Sequence, residues 1–254
     1  MKKNSISRTF IEVFEPTMIS EGFIRKGKVF HRIVNEKVIQ LVSYYRYALV
    51  TEFTIQFSIC PLSLGWDFDG PYYGHRMFNA FIEEDCRWNY ERAEGYIEYM
   101  PIALEATKKL LLPKLNTEID YESYYKSYKE SKLFTMGWDK MSFTRYMLAL
   151  IFEDYEDAQK TMENFIEHRR ENNRINFGTE HHISPEWQKR FDQECEDYRR
   201  MKEAMDNGDR KTIEGYMETR KQQTLNSYVK NYSTPKKYEK YLETGVLPFE
   251  VVNI

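Results

Sequence analysis

The spacing of apolar and polar residues changes its rhythm along this chain. Between Thr51 and Cys60, Phe53, Ile55, Phe57 and Ile59 alternate with Thr54, Gln56, Ser58 and Cys60. A period of two is that of a β-strand, with one face buried and the other wet or thinly covered. Pro61 ends the run. Val29–Val34 and Val38–Tyr47 are rich in β-branched and aromatic residues. Asn35-Glu36 lies between them, and Asn tolerates positive φ, so the pair predicts a tight hairpin. Together the three strands predict an antiparallel meander. Upstream, Phe10, Phe14 and Met18 recur at i, i+4, i+8 and predict a helix over 7–21, capped by Ser7. Pro16 should kink or divide it. Gly22 falls where a left-handed residue closes a helix, with Phe23 set to fold back on it. Gly27 marks a turn.

Residues 62–74, LSLGWDFDGPYYG, read as a loop. Residues 75–100 admit two elements, a helix around Met77–Ile82 and a strand over Tyr96–Tyr99. Pro101 then opens a helix to about Leu115 with Leu104, Leu111, Leu112 and Leu115 inward. From Asp120 onward the period is helical. Tyr121, Tyr124, Tyr125 and Tyr128 mark one helix; Phe143, Met147, Leu148 and Ile151 a second; Ala158, Met162, Phe165 and Ile166 a third. Ser184-Pro185 starts a long helix that Gly208 closes. Asp209 caps the next, and Thr234-Pro235 opens a last short one ending at Gly245. The tail LPFEVVNI is apolar enough to dock. The expected fold class is α+β: residues 1–116 form an antiparallel sheet with packed helices, and residues 117–254 a mainly helical region packed on it.

Composition narrows the functional classes. Net charge is −3 and evenly spread, so no global field draws the protein to nucleic acid. The aromatic fraction is 16%, with 20 Tyr, which suits half-buried packing and, second, a binding surface. Cys60, Cys86 and Cys195 are few and far apart, as in a reducing cytosol, and give neither a disulfide framework nor a zinc site. No signal peptide or membrane span is expected.

The candidate chemistry is sparse. The stretch EGFIRKGKVFHRIV carries Arg25, Lys26, Lys28, His31 and Arg32. A phosphate loop needs amides converging at a helix start. Here Gly22 follows a helix and the chain enters a strand, so the glycines read as structural and the basic residues as a solvated turn. The alternative use of Arg25, Lys26, Lys28 and Arg32 is contact with an acidic surface or a nucleic-acid backbone. In the loop 62–74, Asp67 and Asp69 could hold a hard cation, and Trp66, Tyr72 and Tyr73 could grip a partner. The bland reading is turn-forming Asp with aromatics tucked beneath. His181-His182 and the isolated His31, His75 and His168 lack metal-ligand spacing. Cys86 stands among acids that raise a thiol pKa. No catalytic motif, cofactor or metal is expected.

Gly22-Phe23, Lys26-Gly27, Phe30, Arg32, Ile39-Gln40, Phe53–Ile59 and the pair Cys86-Arg87 occur in an order that resembles the bacterial domain-of-unknown-function family 4304. The resemblance covers roughly residues 7–115. It implies an α+β domain in a bacterial cytosolic protein and, through occurrence beside toxin systems, an immunity-like role; it transfers no catalytic residues. The resulting expectation is a cytoplasmic protein-interaction module whose partner is another protein such as a toxin. The alternatives are a metal-dependent hydrolase using clustered carboxylates, and nucleic-acid binding through the basic turn.

Overall fold

The structure, a computed structural model, describes residues 5–46, 52–65, 76–77, 87–89, 95–130, 143–177 and 185–254. It bears out the α+β expectation. The chain groups into two compact units, Met1–Ser127 with Gln223–Ile254, and Tyr128–Gln222. The change of class near residue 117 is thus distinct from the division into units, because the last segment of the chain belongs with the N-terminal sheet.

In the first unit, helix α1 (Ile6–Ser20) is capped by Ser5, whose Oγ accepts the Arg8 amide, one turn earlier than the expected Ser7. Pro16 does not divide it. Pro16 and Glu12 both lie on the solvent side, so the carbonyl that Pro16 leaves unpaired faces water. Gly22 at φ +79° closes the helix: its amide bonds the Ile19 carbonyl and that of Phe23 bonds Met18, both at 3.0 Å. Strands β1 (Ile24–Lys26), β2 (Val29–Val34), β3 (Val38–Arg46) and β4 (Glu52–Pro61) follow as an antiparallel meander. The β1–β2 turn is Gly27-Lys28, with Gly27 at φ +59°. The β2–β3 turn holds Asn35 and Glu36 at φ +50° and +55°, and the Lys37 amide bonds the Val34 carbonyl.

Strands β5 (Arg76–Met77) and β6 (Arg87–Asn89) both pair with β4. Met77 therefore lies in a strand, where a helix around Met77–Ile82 was expected; residues 78–82 lie outside the described residues. Tyr96–Tyr99, expected as a strand, opens helix α2 (Tyr96–Ala106), which contains Pro101 instead of starting there. A π-turn over Thr107–Leu111 leads into α3 (Leu112–Thr117), with Leu111 and Leu115 fully buried. Helix α4 (Tyr121–Glu130) follows.

The sheet is covered on both faces, so the second face, expected to be wet or thinly covered, is not wet. On one side Phe10 of α1 lies 5.6 Å from Phe30 and 5.1 Å from Tyr44. On the other, Ile33, Ile39, Leu41, Cys60 and Leu62 pack against Leu225, Tyr228, Val229 and Tyr241. These come from helix α8 (Arg210–Tyr232) and helix α9 (Pro235–Thr244). The chain then adds β7 (Val251–Val252), parallel to β2 and paired with Ile33 and Val34. The tail therefore docks as a strand. A Cβ at Gly22 would lie 3.0 Å from Val252 Cγ2, so glycine there also admits the tail.

The second unit is helical. Helix α5 (Phe143–Ile151) and helix α6 (Tyr155–Phe177) meet at Glu153, φ +58°, with Asp154 accepting the Asp157 amide as the α6 cap. Helix α7 (Pro185–Asp206) ends at Gly208, and Asp209 caps α8 through the Thr212 amide. Tyr146, Met147, Ala158, Met162, Met201 and Ile213 are buried. Among the described residues no helix is long and apolar enough to cross a membrane.

Candidate functional site

The basic stretch is where sequence and structure differ most in meaning. Arg25 on β1 is partly exposed and its Nε bonds Glu15 at 2.7 Å, an ion pair worth under about 1 kcal/mol. Lys26 reaches across to donate to the Ser233 carbonyl at 3.0 Å, and Lys28 lies over the Tyr44 ring at 5.3 Å. All three keep solvent access while making contacts within the chain.

Arg32 does not belong with them. It is only 3% exposed. Alternation on β2 turns Phe30, Arg32 and Val34 to the α1 side of the sheet. Its Nε donates to Gln40 Oε1 at 2.8 Å and Nη2 to Asn116 Oδ1 at 2.6 Å, while Nη1 donates to the Glu21 carbonyl. Its guanidinium stacks on Phe23 at 4.3 Å. Gln40 Nε2 in turn donates to the Leu115 and Glu118 carbonyls. Arg32 and Gln40 therefore gather the carbonyl ends of α1 and α3 around one cation, where the helix dipoles favour positive charge. Burial lowers the Arg32 pKa to about 10, opposed by Glu21, which leaves it charged at neutral pH.

His31 occupies the opposite face. It is 1% exposed, shares a 2.5 Å hydrogen bond with the Tyr228 hydroxyl, and lies among the rings of Tyr232 and Phe249. Burial, with Lys26 nearby, lowers its pKa to about 3. Neither His31 nor Arg32 is accessible to a macromolecular ligand.

A third polar group ties α3 to α4. Lys114 and Ser127 both bond the buried Glu118 carboxylate, and Lys114 Nζ bonds Ser127 Oγ at 2.8 Å. With Lys114 and Ser127 meeting on one buried carboxylate, the trio is a helix-to-helix tie.

Trp66, Asp67, Asp69, Tyr72 and Tyr73 lie outside the described residues, as do Cys86, His75, His181 and His182. His168 is exposed on α6. Among the described residues no three His, Cys, Asp or Glu side chains are grouped to hold a metal ion. The acidic pair Glu153-Asp154 serves the α5–α6 turn, where Glu153 pairs with Arg210 at 2.5 Å.

One surface escaped the sequence reading. Helix α2 turns Ile97, Tyr99 and Ile102 to solvent, Ile102 at 54%, and α1, which packs beside it, exposes Ile19 at 50%. Placing a strand before Pro101 hid this face. Read with a helical period, Tyr96, Met100, Ala103 and Leu104 form the buried stripe and leave Ile97, Tyr99 and Ile102 outside it. Compared with protein-family models, with curated proteins and with solved structures, the chain matches none.

Proposed function

We propose that the protein is a protein-interaction module of the bacterial cytoplasm, of the kind that neutralises a toxin by covering it. The observation carrying this reading is the outward face of α2. Isolated exposed apolar residues are ordinary, but Ile97, Tyr99 and Ile102 share one short helix, interspersed with the exposed Glu98 and Glu105 and followed by the exposed Lys108 and Lys109. A surface that mixes apolar side chains with charges of both signs has the composition of a reversible protein interface. The basic turn gives less support to nucleic-acid binding, because Arg32 is interior and Arg25 and Lys26 make intramolecular contacts.

The test is capture from native lysate with the full chain and with Ile102→Asp. A charge at Ile102, the most exposed apolar residue of α2, should weaken capture of a specific partner by at least about tenfold and leave the melting temperature unchanged. Equal capture by both proteins would overturn the reading.

A further inference from the structure

The interior of the first unit contains a histidine whose charging its surroundings oppose, and it sits where two layers meet. His31 projects from β2 toward the layer formed by residues 223–254. From α8 it meets the Tyr228 hydroxyl at 2.5 Å and the Tyr232 ring at 4.8 Å, and from the tail the Phe249 ring at 5.3 Å. Its cross-strand neighbours are Ile24 and Leu41. The titratable groups around it, among the described residues, are Lys26 on β1, Cys60 on β4, Tyr228 and Tyr232 on α8, and Tyr238 and Tyr241 on α9. No carboxylate stands among them. The one charge is a cation, and burial drives the tyrosines toward the neutral form.

We infer that His31 is an acid-sensitive clasp: proton uptake by its ring loosens residues 223–254 from the sheet while the α1 face stays assembled. The two faces are held by different chemistry. The α1 side is fastened by Arg32, which is already charged and whose acceptors are two side-chain amides and the Glu21 carbonyl. The opposite side is fastened by apolar contact and a neutral imidazole, with the Lys26–Ser233 bond and the pairing of β7 with β2 at its margins. Once the layer lifts, the imidazole returns to water and to its ordinary pKa of about 6.5. With the closed-state pKa lowered to about 3, the open form binds more protons throughout the window between these values. Opening therefore becomes easier as pH falls through it. At pH 4.5 the opening equilibrium should rise by about 100-fold over its value above pH 7.

Hydrogen exchange on the full chain at pH 7 and pH 4.5, corrected for intrinsic exchange, reads this directly. Amides of Leu225–Tyr232 and Val251–Val252 should lose about 100-fold more protection than those of Phe10–Met18. Uniform loss over both sets, or no loss, would overturn the clasp. His31→Phe should abolish the difference; a difference that persists in a folded His31→Phe protein would also overturn it. Should that variant not fold, the ring resonances of His31 in the unaltered protein decide. They should report a neutral ring for as long as protection is retained. Titration near pH 6.5 with protection unchanged would refute the inference.

Discussion

At the scale of single residues, two neighbours on one strand have opposite surroundings. Arg32 and His31 differ by one position, and the pleat sends one into a ring of carbonyls and the other into aromatic rings. Arg32→Met would leave Gln40 Oε1, Asn116 Oδ1 and the Glu21 carbonyl without their donor. The buried Gln40 acceptor costs on the order of 1–3 kcal/mol and the half-buried Asn116 and Glu21 acceptors less, so urea unfolding should show a loss of about 2 kcal/mol or more. Arg32→Lys should recover less than half, because a single ammonium cannot serve three acceptors in fork geometry. A loss below about 1 kcal/mol for Arg32→Met would contradict the network. The burial of Arg32 was legible in principle. It alternates with Phe30 and Val34, and its cross-strand partner is Gln40, a second polar residue in an apolar strand. Grouping it by charge with Arg25, Lys26 and Lys28 concealed that period.

At the scale of elements, the hairpin between β2 and β3 was the most readable feature, since Asn35 advertises positive φ. Glu36 does not, yet it adopts φ +55°. A non-glycine residue in that region pays roughly 1 kcal/mol in steric conflict. Glu36→Gly should therefore raise stability by about 0.5–1 kcal/mol in thermal or urea unfolding; a loss would show that the Glu36 side chain contributes more than its backbone strain. Strands β2, β3 and β4 were read to within about two residues because period two and turn residues agree there, whereas β1, three exposed residues, carries no such alternation. The start of helix α2 was placed five residues late because a proline at its sixth position looks like a start, and nothing local says that the freed carbonyl faces water. The tail was seen as apolar, but its pairing with β2 depends on a partner more than 200 positions away, which no local window contains. The candidate loop around Asp67 lies outside the described residues, so the sequence expectation there stands as it was.

At the scale of the molecule, the first unit is closed by its last segment. Leu247, Phe249 and Val251 are half-buried against the cluster of Ile33, Ile39 and Leu41. Asn35 exchanges side-chain bonds with the Ile254 backbone. Ending the chain at Val246 should cost roughly 3 kcal/mol, about 1 for each half-buried side chain. The urea m-value should fall along with the midpoint, since less surface is buried on folding. An unchanged midpoint would mean that the tail rests on the sheet without stabilising it.

That late closure bears on how the protein is made. Asn35 and its partner Ile254 are 219 positions apart, and ribosomes add about 5–20 residues per second. For roughly 10–45 s after the hairpin emerges, the greasy side carrying Ile33, Ile39, Leu41 and Cys60 has nothing to lie against. A nascent chain in that interval is a natural client for holding chaperones, and slowed translation between residues 46 and 223 would lengthen its exposure to aggregation.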